Sequence, residues 1–403
     1  MDPLVLALFT LVYAGMILGE IPGLALDRAG IALLGAIAFV VLGRVSPDDA
    51  VGLVDVPTIS LLFGLMVVSA QFRLGGSYSA VTRRLSDLDV SAPALLAWLI
   101  GVAGLLSALL ANDIVCLAMA PVLIEGCSRR RLDPVPFLLA LACASNVGSA
   151  LTLIGNPQNM LIGEKLRLSF AGYLLDAAVP SLLGLTVVWM VLVLQTRGRW
   201  AAPETALEVD SPPLDRWQTA KGALVIGAVV ILFLATSFRR DVIALAAAGI
   251  LLSSRRMASR EILGLVDWQL LVLFVGLFVV NGVLETSGTL AHVMRELGAR
   301  GVDFAGPGSL FFATAALSNL VSNVPAVMLL LPFARGPDAG AVLALSSTLA
   351  GNLFVVGSIA NIIVLDQARR LGVAIGWRRH AKAGVPVTVL TLAIAWLWLY
   401  VRR

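Results

Sequence analysis

The stretch SALLANDIVCLAMAP, Ser107 to Pro121, decides the fold. It lies inside an apolar run, Ala94 to Ile124, whose one charge is Asp113, next to Asn112. As one helix, these 31 residues would be about 46 Å long, against a bilayer core of about 30 Å. They are too long for one straight span and too short for two spans and a turn. A re-entrant hairpin fits, with one leg in, a tip at Asn112-Asp113 and one leg out. Non-helical backbone at that depth is tolerated where protein or a wet cavity surrounds it. A second run, 306–333, reads the same way, with its tip at Ser322–Ala326.

The whole chain has this character. Of 403 residues, 59% are hydrophobic and 13% charged, and the mean hydropathy is +0.94. A soluble domain carries about twice that charge. Ten spans are expected, at 3–20, 29–43, 52–71, 135–163, 171–195, 218–236, 241–253, 263–284, 340–365 and 383–401. The first does not read as a cleavable signal, because it has no basic n-region and no small-residue cleavage site. Cys116, Cys127 and Cys143 have no metal spacing and read as small buried hydrophobes. With only His292 and His380, a histidine metal site or charge relay is not expected.

Threading the chain through these spans puts 19 of the 29 Lys and Arg on one side and 10 on the other. The richer side should be cytoplasmic, which places both termini outside the cytoplasm in an inner (plasma) membrane. The net charge of +4 then reflects cytoplasmic arginines and gives no reason to expect nucleic-acid binding. Arg129-Arg130-Arg131 reads as a topology anchor, and Gly75–Leu88 and Glu285–Leu297 as short interfacial helices.

The sequence repeats itself. GLVD at Gly52–Asp55 returns at Gly264–Asp267, 212 positions later. That offset also pairs Arg28 with Arg240, Ala32 with Ala244, Gly64 with Gly276 and Gly76 with Gly288. An offset of 211 pairs Asn112 with Asn323 and Pro121 with Pro332. Further on, Asn146 pairs with Asn352, Gly155 with Gly357 and Asn159 with Asn361. The expected fold is an all-α polytopic membrane protein of two repeats, 1–195 and 218–403, joined by a cytoplasmic linker, 196–217. Each repeat has five spans, a re-entrant hairpin and an interrupted helix. Because five is odd, the second copy is inverted, the architecture of secondary transporters with a site near the midplane.

Four polar clusters lie deep. Two are the hairpin tips, ANDIV and SNVPA. Two are interruptions, in SNVGSALTLIGNPQN (Ser145–Asn159) and GNLFVVGSIAN (Gly351–Asn361). Gly155-Asn156-Pro157 is a strong helix breaker, and Gly357-Ser358 a weaker one. A break frees N–H groups, which attract anions, at one half-helix start. It also frees carbonyls that, with Ser and Asn oxygens, suit a small hard cation such as Na⁺. None of the four clusters holds a Lys or Arg. The candidate substrate contacts are Asn112, Asp113, Gly155, Asn156, Pro157, Asn159, Ser322, Asn323, Ser358 and Asn361. The candidate cation or proton contacts are Ser107, Asn112, Asp113, Ser318 and Asn323. An intramembrane carboxylate is a functional hypothesis by default. Asp113 reads either as an ion carrier or as the N-cap of the second leg.

These motifs resemble the ion transporter superfamily, which includes divalent-anion/sodium symporters, citrate permeases, arsenite permeases and sodium/proton antiporters. The closest likeness is to bacterial anion-transporter or arsenite-permease-like proteins. It is carried by ANDIVCLAMAP, GSALTLIGNPQN, SNLVSNVPAVMLLLP and TLAGNLFVVGSIAN in that order. The resemblance implies that the tip and loop residues named above form the substrate site, with Ser107 and Ser318 helping to hold Na⁺. It also implies homodimers and elevator-like movement. Where the dicarboxylate symporters have Ser-Asn-Thr, the tips here read Ala-Asn-Asp and Ser-Asn-Val. The Asn-Asp tip is similar to the arsenite-permease branch, for which proton coupling is the expectation.

The function expected is secondary active transport of a small anion or oxyanion, coupled to H⁺ or Na⁺, without a resident cofactor and without enzymatic activity. The alternative is a passive channel, suggested by half-helix motifs such as NVPA at Asn323–Ala326. An embedded enzyme would need paired carboxylates or a nucleophile with a base, and Asp113 has no evident partner in the sequence.

Overall fold

The computed structural model describes residues 2–19, 25–202, 209, 212–299 and 306–402. Of the linker expected at 196–217, residues 203–208, 210 and 211 lie outside the described residues. So do residue 20 of the first span, and Arg300 and Arg403 of the charge count.

Among the described residues, ten α-helices make up the first half. They are α1 (Pro3–Leu18), α2 (Arg28–Val41), α3 (Pro47–Leu53), α4 (Val56–Leu74), α5 (Ser77–Ser86), α6 (Ala92–Leu109), α7 (Asn112–Arg129), α8 (Pro134–Ser149), α9 (Pro157–Lys165) and α10 (Phe170–Thr196). Ten more α-helices follow among the described residues. These are α11 (Arg216–Ala235), α12 (Arg240–Leu252), α13 (Ser259–Leu263), α14 (Trp268–Thr286), α15 (Thr289–Ala299), α16 (Pro307–Val321), α17 (Asn323–Leu330), α18 (Ala339–Ala350), α19 (Ile359–Arg370) and α20 (Trp377–Val401). Among the described residues there is no strand, only an isolated bridge between Leu132 and Ala201.

The repeated GLVD has a local cause. Its aspartates are N-caps: Asp55 accepts from the Thr58 N–H and Asp267 from the Leu270 N–H, each at 2.9 Å. The helices they start then pack crosswise, α4 on α12 and α14 on α2. A Cβ on Gly64 would lie 2.6 Å from the Ala244 carbonyl carbon, and one on Gly276 would lie 2.6 Å from that of Ala32. The same close approach is therefore made twice with the roles of the halves exchanged. It needs a residue without a side chain at both places.

Among the described residues, six helices are long and apolar enough to cross a membrane: α4, α6, α10, α11, α14 and α20. Others of the expected spans are shorter. For example, α2 has 14 residues and α12 has 13, about 20 Å each. Both interrupted spans are split as expected, into α8 and α9 and into α18 and α19. The centre of the molecule is α8 and α18, which are buried along nearly their whole length and are largely apolar, with their buried polar residues gathered toward their C-terminal ends. α6 packs on α8, and α16 on α18.

The first hairpin departs from its expected dimensions. Its legs, α6 and α7, have 18 residues each, about 27 Å, and α6 alone is long enough to span. The bend is at Leu110-Ala111, so Asn112 and Asp113 already belong to the first turn of α7. Ala111 is the N-cap, without a side-chain bond. The capping reading of Asp113 is thereby excluded, although a carboxylate in a first turn still complements the helix dipole. In the second hairpin α16 has 15 residues and α17 has 8, extended by a 3₁₀ turn, Leu331–Phe333.

Two surface features acquire partners. The Arg130 guanidinium donates to the carbonyls of Ser86 (3.2 Å), Leu88 (2.7 Å) and Val90 (2.7 Å), stapling the α5–α6 loop to the end of α7. The helix α5 packs on α7, with Ser86 against Gly126, and its Ser79, Thr82 and Ser86 are buried. The three cysteines are free and buried.

Candidate functional site

At the first tip, the Ala111 N–H donates to Ser69 Oγ on α4 (3.0 Å). Ser107 Oγ donates to Ser145 Oγ (3.1 Å), and Ser145 in turn to the Asn112 carbonyl (3.3 Å). The tip is therefore held by α4 and α8 through backbone groups. The Asn112 side chain is left without a protein partner among the described residues, though only 5% of the residue is exposed.

The Asn112 and Asp113 side chains line a cavity of about 190 Å³. Asn156, Pro157 and Met160 from the start of α9 form a second wall. Leu62, Leu65, Met66 and Arg73 from α4 form a third, and Asp267 and Leu270 at the start of α14 a fourth. Three helix N-termini, those of α7, α9 and α14, meet there, and N-terminal N–H groups favour an anion. Arg73 adds a full positive charge and has no carboxylate partner among the described residues. Asp113, half-buried, and Asp267 add two carboxylates. Arg73 and Asp267 were not among the expected site residues. Arg73 lies one helical turn past Ser69 on α4, the residue that bonds the tip, but nothing in the linear sequence links this helix to the tip.

The interruptions are built by matched bonds. Asn159 Nδ2 donates to the carbonyls of Thr152 (2.9 Å) and Ser149 (3.5 Å). Asn361 Nδ2 does the same to Phe354 (3.2 Å) and Gly351 (2.9 Å), each 202 positions on. Asn159 and Asn361 thus clamp the freed carbonyls of α8 and α18, and neither lines the cavity. Thr348 bridges Asn156, Gln158 and Asn159 at 3.1–3.3 Å. Asn146 does the equivalent work for Ser358 (2.7 Å) and Asn361 (3.4 Å). The bonds therefore make Thr348, and not Asn352, the counterpart of Asn146. Asn146 also donates to Asn352 Oδ1 (2.8 Å). Thr348, Gln158, Asn146 and Asn352 are buried network members that the site expectations left out. Extending the 202-residue spacing of Gly155/Gly357 back to Asn146 would have found Thr348. At Gly155 itself, a Cβ would lie 2.2 Å from the Ser149 carbonyl oxygen and 2.8 Å from that of Ser107, so the break presses against the end of α6.

The second tip is organised differently. Asn323, with its amide turned to satisfy its neighbours, donates to the carbonyls of Ser347 (3.0 Å) and Gly357 (3.2 Å) and accepts from Gln158 Nε2 (3.2 Å). Ser322 sits at φ 77°, ψ 163°, a region costly for any side chain. Ser318 Oγ and Asn319 Oδ1 are buried without a hydrogen-bond partner among the described residues. Of the expected residues, Asn112, Asp113, Asn156 and Pro157 share the cavity. Ser107, Gly155 and Asn159 lie around the first break, and Asn323, Ser358 and Asn361 around the second. Ser318 and Ser322 belong to the last turn of α16 and the bend after it.

Residues 6–350 match the family model described as citrate transporter. The chain is 29% identical to the 46 kDa membrane protein of Mycobacterium leprae, over 92% of this chain and 93% of that one. It is 29% identical to the silicon efflux transporter LSI3 of Oryza sativa, over 93% of each. It is 28% identical to the inner membrane protein YbiR of Escherichia coli, over 88% of this chain and 91% of that one. Among solved structures, the YdaH transporter of Alcanivorax borkumensis, described as having an unusual topology, superposes with a TM-score of 0.57. It is 15% identical and covers 99% of this chain and 97% of its own.

Proposed function

Because the chain belongs to the citrate transporter family, and is therefore a multi-pass membrane transporter and not an enzyme, we propose that it moves a small oxyanion or weak oxyacid of low charge by secondary active, alternating-access transport. The observation that carries this reading is the cavity at the first tip. Its 190 Å³ equals the volume of about six waters. A trianion such as citrate would meet two carboxylates there, Asp113 and Asp267, against one guanidinium, Arg73. A compact oxyanion can take N–H donors from the helix starts and the Asn112 amide. The silicon efflux transporter among the relatives is in keeping with a substrate of this class.

Asp113 is the proton carrier in this reading, since it lines the cavity and no basic partner among the described residues is bonded to it. A specific observation favours Na⁺ as a second coupling reading. The Ser318 hydroxyl and the Asn319 oxygen, the latter beside Gly357, lack hydrogen-bond partners among the described residues and are hard oxygens of the kind Na⁺ takes. The inverted repeat and termini outside the cytoplasm are part of the proposal, supported by the exchanged Gly64 and Gly276 contacts and by the arginine asymmetry. Re-entrant hairpins, elevator-like movement and a homodimer join it on the motif resemblance alone.

Proteoliposome transport tests it. Labelled arsenite, silicate, phosphate, sulfate, citrate and a dicarboxylate would be offered under separate H⁺ and Na⁺ gradients, with and without unlabelled substrate on the trans side. Trans-accelerated uptake of a low-charge oxyanion or oxyacid is expected. Preference for citrate would sink the size-and-charge argument, and uptake indifferent to trans substrate would make the protein a channel.

A further inference from the structure

A second cavity lies away from this site, where the end of α10 meets the starts of α8 and α20. It is a crevice of about 980 Å³. Arg197, Arg199, Arg378, Arg379 and Lys382 line it, and among the described residues the one carboxylate in the lining is Asp133. Arg379 is committed to Asp133 (2.7 Å), and Arg378 lies over the Trp377 ring at 5.3 Å. The Gln195 amide donates to the Lys382 carbonyl (2.6 Å), tying α10 to α20 across the opening. The floor is apolar, formed by the buried side chains of Leu139 and Leu192.

Two apolar stripes lead away from the charged end. On α20, Val385 and Val389 follow Lys382 at helical spacing and are both exposed. On α10, Leu194 and Met190 form the second stripe, with Leu194 64% exposed. A ligand matching the whole feature has an anionic head and long apolar chains. We propose that the crevice binds an anionic phospholipid of the leaflet on the arginine-rich face, with its phosphate among Arg197, Arg378 and Lys382 and its acyl chains along α10 and α20. Basic pockets between membrane helices recognise such head groups electrostatically. A lipid there bridges three helix ends, one of them the start of α8, whose other end carries the first interruption.

The test uses the full chain in nanodiscs of phosphatidylcholine alone or mixed with phosphatidylglycerol, read by thermal unfolding and by lipid retained in native mass spectrometry. Phosphatidylglycerol should be retained at least about tenfold over phosphatidylcholine and should raise the melting temperature. The Arg197→Gln/Arg378→Gln/Lys382→Gln variant should lose both effects yet melt like the parent in phosphatidylcholine alone. If that variant does not fold, Lys382→Gln alone should lower the retention ratio severalfold. Equal retention of the two lipids, or an undiminished ratio in the variants, overturns the proposal. So does a stabilisation by soluble glycerol phosphate as large as that by the lipid, which would make the site one for soluble phosphate compounds.

Discussion

Asp113 and its neighbours give the sharpest residue-level expectations. Asp113→Asn keeps the shape of the side chain and removes its proton. Gradient-driven accumulation should fall by about tenfold or more, while exchange across the membrane persists and the melting temperature is unchanged. Wild-type accumulation in this variant would end the coupling role. Asn159 and Asn361 are expected to behave differently. Each clamps two freed carbonyls, so Asn159→Ala and Asn361→Ala should each cost about 2–4 kcal/mol, because buried acceptors lose their donors. Denaturant unfolding would show two similar losses, and a loss of transport without a loss of stability would mean that these amides contact substrate instead. Much of this site was legible in the sequence, because polar residues interrupting apolar runs have few ordinary explanations in a bilayer. Arg73 and Asp267 were not legible. They reach the tip only because α4 and α14 pass it, and nothing in a linear chain records that crossing.

At the scale of elements, the crosswise pairs α4 with α12 and α14 with α2 rest on two glycines. Gly64→Ala and Gly276→Ala place a methyl against backbone that has no flexible side chain to move aside. Overpacking of this kind costs about 1–3 kcal/mol, and the two variants should lower the melting temperature by similar amounts. A neutral Gly276→Ala beside a damaging Gly64→Ala would break the equivalence of the two contacts. The repeated GLVD predicted corresponding helix starts, and capping explains why its aspartate matters. The hairpin was read less well. Apolar residues bound its predicted length, but α6 continues back to Ala92 and α7 on to Arg129, where polar residues close the turns. The matching of Asn146 with Asn352 failed for a related reason. Identical side chains suggested it, whereas the register is set by the spacing of the interruption, which brings Thr348 into the equivalent position.

Across the whole molecule, the buried bonds at the centre run between the halves. Asn146 reaches Asn352, Asn361 and Ser358, and Thr348 reaches Asn156, Gln158 and Asn159. Sliding one half past the other would strip partners from a buried polar network, which is costly in a low-dielectric interior. Movement that keeps α8, α9, α18 and α19 together against α2, α4, α12 and α14 leaves this network whole. The same bonds have a consequence for biosynthesis. A polypeptide ending within 196–217 would expose amides and hydroxyls that find their partners only in residues not yet made. The first half expressed alone should therefore be degraded, and so should the second. The two expressed together as separate chains should assemble and co-purify, because the bonds between them do not depend on the peptide that joins them. Stable accumulation of either fragment by itself would show that each half completes its own interior before meeting the other.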